Sequence, residues 1–242
     1  MAARRPLASL LTDGNTAAWY RPGVGVTGAL NASLWADQSG NGRDLIQNTG
    51  ANQPIVLPWT GANYLWSIDT VSNSATSPNA AANQITGDIA IVVGKSFNNA
   101  TAVRNPLFAK DPGGTNRSYA FHVSTDASGK LSVYWFFNGT NFTESKSSVV
   151  HPFGNGVLGY FAVTRSSATG DVKFFTSTDM ASWTQLGSTQ STAAGNLFNS
   201  TGNIEAGTWN EISSGEIGKT YRAQLFNGIP PMLGGSASAT PV

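Results

Sequence analysis

Hydrophobic and polar residues alternate along most of this chain with a period of two, in short runs broken by Gly, Asn, Asp and Ser. Tyr119-Ala120-Phe121-His122-Val123 runs into a turn at Asp126-Ala127-Ser128-Gly129. Leu131-Ser132-Val133-Tyr134-Trp135-Phe136-Phe137 follows, so the pattern predicts a hairpin whose second strand is apolar on both faces. Two-sided burial is what a central strand of a sandwich requires. The run Ile89-Ala90-Ile91-Val92-Val93 within residues 88–97 predicts another buried strand. Residues 158–165, 172–177 and 183–186 predict a meander, with turns at 168–171 and 177–182. Residues 203–207 and 217–226 close the series, and alternation puts Tyr221, Ala223 and Leu225 on one face. No long segment has helical periodicity and no internal repeat is visible. Short strands joined by Gly- and Asn-rich turns predict an all-β sandwich of two antiparallel sheets.

The ends and one internal stretch break the pattern. Residues 1–18 read as an N-terminal arm, residues 19–229 as the sandwich domain, and residues 230–242 as a flexible C-terminal tail with Pro230-Pro231 and Gly234-Gly235-Ser236. Residues 50–87 are rich in Asn, Ser, Thr, Ala and Pro, and within them residues 72–83 read as a long surface loop.

One turn stands out. Ser33-Leu34-Trp35-Ala36-Asp37-Gln38-Ser39-Gly40-Asn41-Gly42-Arg43-Asp44-Leu45 places an aromatic on a short strand before an Asp and a Ser-Gly-Asn-Gly turn, after which apolar residues resume. The glycines permit positive φ, and the Asp, Ser and Asn side chains can bond nearby amides. This wording, W-x-D-x-S-G-N-G-x-x-L-x-Q, resembles the opening of concanavalin A-like (laminin G-like) jelly-roll domains, especially those of bacteriophage structural proteins. Gly159-Tyr160-Phe161-Ala162-Val163-Thr164-Arg165, Gly170-Asp171-Val172-Lys173-Phe174-Phe175 and Ser182-Trp183-Thr184-Gln185-Leu186-Gly187 resemble the meander of phage lectin-like domains. Gly218-Lys219-Thr220-Tyr221-Arg222-Ala223-Gln224-Leu225-Phe226 is similar to their closing strand. The resemblance spans residues 15–229 and implies a concanavalin A-like jelly roll that binds or decorates.

Composition narrows the function classes. Only 11% of the 242 residues are charged, against ~25% in an ordinary soluble domain, so the surface is made of neutral polar residues. A net charge of +1, with Arg4-Arg5 the sole dense basic spot, argues against nucleic acid as a partner. The absence of cysteine removes disulfides, thiolate metal sites and Cys nucleophiles. No apolar run approaches the ~20 residues of a membrane span, and no secretory signal is seen.

Enzymes of this fold that cleave glycans carry closely spaced carboxylates, ~5 Å apart for retention. The glutamates here are Glu144, Glu205, Glu211 and Glu216; only Glu205 and Glu211, flanking Gly207-Thr208-Trp209-Asn210, are placed to converge. His122, in a strand and expected to face solvent or a polar neighbour, and His151, before Pro152, lack a G-x-S-x-G elbow. The chain is therefore expected to be non-enzymatic. Asp37, Asn41 and Asp44 offer the hard oxygens that calcium prefers, as do Asp111 and Asn116, and calcium is the one cofactor this pattern admits. The alternative for the first group is that its side chains satisfy turn amides unaided. Trp59, Tyr64, Trp66 and Trp209 occur beside Asn and Gly in loop-like sequence, where flat rings could stack on sugars; Trp35, Trp135 and Trp183 fall in strand patterns and are expected in the core. With the resemblance, these readings imply a virion structural protein of a tailed phage, a capsid decoration or a tail or fibre component at the virion surface, touching other virion proteins and copies of itself. The alternative is a carbohydrate-binding module or adhesin, extracellular or on a cell surface, that recognises a host surface polysaccharide.

Overall fold

A computed structural model of the chain describes residues 16–20, 24–28, 31–58, 64–67, 75–102, 104–123, 126, 128–207, 209 and 218–235. The first half of the chain gives short strands: β1 (Thr16–Tyr20), β2 (Val26–Thr27), β3 (Leu34–Trp35), β4 (Leu45–Ile46), β5 (Ile55–Pro58), β6 (Tyr64–Ser67) and β7 (Thr76–Ser77). The main strands follow: β8 (Ile89–Phe97), β9 (Pro106–Lys110), β10 (Tyr119–Val123), β11 (Lys130–Phe136), β12 (Phe142–Val150), β13 (Gly159–Arg165) and β14 (Asp171–Ser177). The series ends with β15 (Thr184–Gln185), β16 (Gln190–Ser191), β17 (Ile204–Ala206) and β18 (Gly218–Asn227).

They form two antiparallel sheets packed as a sandwich. The first has the order β15-β14-β13-β8-β18-β6-β5, with β1 alongside β18 and β16 beside β14; the second runs β12-β11-β10-β9-β17-β7-β4-β3-β2. Strand β8 shows why the sequence builds this architecture. All nine of its residues are buried. Ile89, Ile91, Val93 and Phe97 point into the core between the sheets, and Ala90 and Val92 into a second cluster on the outside of the first sheet. It lies between β13 and β18, so an unbroken β-branched run is satisfied on both faces. Rings meet across the core, Phe121 of the second sheet with Phe174 of the first at 6.4 Å, and within the first sheet Phe97 meets Phe161 at 5.3 Å. Trp35 and Trp135 lie fully within it, as their strand patterns predict.

Two buried cations tie distant segments together. Lys95 sits among the inward residues of β8, and its Nζ donates to the carbonyls of Pro106 and Gly207 in the second sheet. Burial lowers its pKa to about 7. The Arg165 guanidinium donates to the Ala193 and Gly195 carbonyls at 2.8 and 2.7 Å and lies over the rings of Trp135 and Phe137.

Several details differ from the sequence reading. Strand β1 begins at Thr16, so the last three residues of the expected arm belong to the first sheet, paired with β18; residues 1–15 lie outside the described residues. The expected tail is docked at its start. Pro231–Leu233 form a 3-10 turn, Leu233 is buried, and Ile229 and Met232 pack with it on the outer cluster of the first sheet. The expected surface loop at 72–83 contains β7, and Ala75, Ser77 and Asn83 are buried in it. Tyr221 does not share a face with Ala223 and Leu225, because a bulge between Thr220 and Arg222 shifts the register against β8. Trp183 is half-buried on the outer cluster rather than in the central core. The apolar β11 is not central: it lies one strand from the edge, and its outer face is covered by a third cluster.

Candidate functional site

The Asp37 turn closes on hydrogen bonds. Its carboxylate accepts from the amides of Trp19 (2.8 Å), Ser39 (2.9 Å) and Arg43 (3.1 Å) and from the Ser39 hydroxyl (2.7 Å). Asp44 Oδ1 accepts from the Asp37 amide, and Asn41 Nδ2 donates to the Thr16 and Ala17 carbonyls. Gly40 and Gly42 take φ of 86° and 66°, which the tight turn requires. With both Asp37 oxygens facing N–H and O–H groups, a calcium ion would have to displace the bonds that hold β1 against the turn. The three side chains are brought together, but as a donor set they do not fit the ion. Asp111 is likewise engaged, in a bidentate pair with Arg117 at 2.6 and 2.9 Å, and Asn116 bonds Thr201 across the sheet end. Among the described residues no group of three or more His, Cys, Asp or Glu is arranged to hold a metal.

The richer constellation lies on the outer face of the second sheet. Along β10 and β11, Tyr119, Phe121, Val123, Leu131, Val133 and Trp135 point to the core. Ala120, His122, Ser132, Tyr134 and Phe136 therefore point outward. Register extends this face onto β12, with Ser132 opposite Lys146, Tyr134 opposite Glu144 and Phe136 opposite Phe142. Ala109 opposite Ala120 and Glu205 opposite Ala109 carry one row across β9 to β17.

Trp209 sits on this face, clustered with Ala109, Ala120, Tyr134 and Phe136. Its ring stacks on His122 at 5.3 Å and meets Tyr134 edge-on at 5.7 Å. Phe142 stacks on the other side of Tyr134 at 4.0 Å and is half exposed. Ser132 Oγ donates to Glu144 Oε1 at 2.5 Å, and Lys146 Nζ reaches Asp126 at 3.0 Å.

His122 is fully buried. Its Nδ1 lies 2.7 Å from the Val123 carbonyl, which only accepts, so Nδ1 carries the proton and Nε2 offers a lone pair. Burial lowers its pKa to about 4, which keeps the imidazole neutral. Among the described residues, Nε2 of His122 and Nε1 of Trp209 are both buried without a hydrogen-bond partner. An acceptor and a donor thus stand unmatched on two stacked rings.

The structure distributes the expected site residues unevenly. Trp209 is buried, where an exposed loop platform was expected, because small Ala109 and Ala120 leave room for its ring on the sheet. Tyr64 and Trp66 belong to strand β6, in the first sheet, rather than to a loop. Trp59 lies outside the described residues, as do Glu211 and Glu216. His122 faces neither solvent nor a polar side chain but two aromatic rings. His151 is also buried, with Nε2 3.0 Å from the Ala100 carbonyl. Sequence reasoning passed over Ser132, Tyr134, Phe142 and Glu144. The alternation of β11 already marks the first two as opposite in facing to Trp135, but only the register brings Phe142 and Glu144 beside them. Glu144 and Glu205 occupy one row, four strand spacings apart. That is about 19 Å, at ~4.8 Å per strand. A hydrolytic pair spans ~5 Å or ~6.5–9.5 Å, so these two do not form one.

No protein-family profile matches the chain, and no curated protein matches it. Solved structures do. Domain 4 of a GH43 extracellular arabinanase from Geobacillus stearothermophilus, in complex with arabinotriose, aligns with a TM-score of 0.60 at 12% identity, over 90% of this chain and 96% of that one. A sialidase from Trypanosoma rangeli, in complex with sialic acid, aligns with a TM-score of 0.55 at 13% identity, covering 90% of this chain and 31% of the sialidase. A GH54 α-L-arabinofuranosidase gives 0.56 at 13% identity, over 91% of this chain and 57% of that chain. The chain thus spans under two thirds of these two enzymes and nearly all of the arabinanase domain. At such identities the likeness establishes a shared fold: a jelly-roll sandwich of two antiparallel sheets.

Proposed function

We propose that this chain is a carbohydrate-binding β-sandwich module that acts outside the cell without chemistry of its own. The observation that carries the reading is the outer face of the second sheet, where half-exposed Phe142 stacks on Tyr134 beside the Ser132–Glu144 bond. An apolar ring face flanked by carboxylate and hydroxyl groups is suited to a pyranose or furanose, whose C–H face is apolar and whose rim is hydroxyls. The fold shared with a domain that holds arabinotriose supports this reading, whereas none of these likenesses supports a place on a phage particle.

The test is a glycan array that includes arabino-oligosaccharides and sialylated glycans, followed by calorimetry on the best ligand. Phe142→Ala is expected to weaken binding about tenfold, or ~1.4 kcal/mol, with the melting temperature nearly unchanged. A wild-type chain that binds no glycan, or a Phe142→Ala variant that binds as tightly as wild type, overturns the reading.

A further inference from the structure

Strand β12 is the edge of the second sheet and is nine residues long. Among the described residues no strand pairs with its outer side. A long edge is a liability that proteins blunt with charge, so that an incoming strand meets repulsion or unpaired ions. Here the charges do not serve that purpose. Glu144 and Lys146 stand two residues apart on the same outer face, with Ser145 between them turned inward and buried. Their side chains are 29% and 28% exposed. Centred on Ser145, antiparallel pairing of β12 with β12 of a second copy places Glu144 opposite Lys146 of the other copy, twice, by symmetry. Centred one residue either way, it places Glu144 opposite Glu144 or Lys146 opposite Lys146, which is repulsive. Of these three registers, only the one centred on Ser145 sets opposite charges against each other.

The covered part of the edge fits the same register. At Ser148 the edge is occupied by its own chain, since the Ser188 amide donates to Ser148 Oγ at 2.9 Å. Residues 143–147 precede it, with Ser147 at the start of an irregularity in the pairing with β11, and pairing about Ser145 uses those five from each copy. Within one chain Glu144 Oε1 accepts from Ser132 and lies 3.9 Å from the Lys146 ammonium, which gives one proton to Asp126, so pairing across the seam extends an ion pair that each copy already makes. The flanking Phe142, Val149 and Val150 are 45–50% exposed and supply apolar surface at both ends of the seam. A net charge of +1 adds little long-range repulsion between copies.

We infer that two copies of this chain associate through β12, antiparallel and centred on Ser145, to make one continuous sheet. This does not depend on the glycan reading, because its readout is mass. Sedimentation velocity and light scattering over a concentration series are expected to show a reversible dimer for the wild-type chain. Lys146→Glu and Glu144→Lys, each of which sets like charges opposite one another twice, are expected to weaken it by at least about tenfold. Mixed in equal amounts, the two variants are expected to recover the dimer, since every facing pair is then opposite in sign. Circular dichroism melts separate loss of pairing from loss of fold. A wild-type chain that stays monomeric up to its solubility limit overturns the inference. So do single variants that dimerise like wild type, or a folded mixture that fails to recover the dimer.

Discussion

The outer faces of the two sheets are built for different ends. The outside of the first sheet is apolar and closed: Ala90, Val92, Ala162, Phe175, Phe226 and Leu233 form a cluster under Ile229, Met232 and Trp183. Its cover is the chain's own terminal turn. The outside of the second sheet is aromatic and polar, with His122, Tyr134, Trp209 and Phe142 beside Ser132, Glu144 and Lys146. The first face contributes stability by removing apolar surface from water. The second leaves the Phe142 ring half exposed beside the Ser132–Glu144 bond, so part of its apolar surface stays in contact with water.

That contrast can be broken at either face. The largest effect is expected from Phe226→Ala on the first: a ring 1% exposed is removed, and urea denaturation should show a loss of ~3–5 kcal/mol, with glycan affinity unchanged in the folded fraction. A large loss of affinity there would mean that the faces are coupled. The next effect is on the second face and appears with acid. The pKa of His122 is lowered to about 4 in the fold from the ordinary 6.5, so between these values the unfolded chain binds more protons than the folded one. Stability is therefore full above about pH 6.5 and falls as pH drops towards 4, by up to roughly 3 kcal/mol. Urea midpoints of wild type and His122→Phe across that window should diverge, the variant losing less; parallel curves would assign the acid sensitivity elsewhere. A smaller change comes from Ser132→Ala, which removes the bond to Glu144 and should cost ~1 kcal/mol by thermal unfolding while weakening glycan binding. Smallest in stability is Phe142→Ala, a half-exposed edge ring, expected to change unfolding by less than about 1 kcal/mol. It sharpens the comparison most, because the ligand loss is large where the stability loss is slight.

Legibility in the sequence followed how local each interaction is. Strands β8, β10, β11, β13 and β14 were readable because their alternation or continuous apolar runs reflect burial that each strand achieves over its own length. The Asp37 turn was readable because its hydrogen bonds run largely to residues 37–44 and to the strand beside them. Strand β12 was not, since Thr143-Glu144-Ser145-Lys146-Ser147-Ser148 is polar throughout, and its place is set by pairing with β11. The docking of Leu233 was equally hidden: Pro230-Pro231 and the glycines after it look like a tail until the outer cluster of the first sheet is there to receive them.

The sequence by itself determined that the chain folds as an all-β sandwich, because period-two burial and positive-φ turn residues are properties of neighbours along the chain. For Asp37 it left two roles open, a calcium ligand or a partner for its own turn's amides. Only the tertiary structure decided which rings share a face. Strand register, a relation between segments remote in sequence, set Phe142 against Tyr134 and Glu144 against Ser132, and two small alanines made room for Trp209 beside His122.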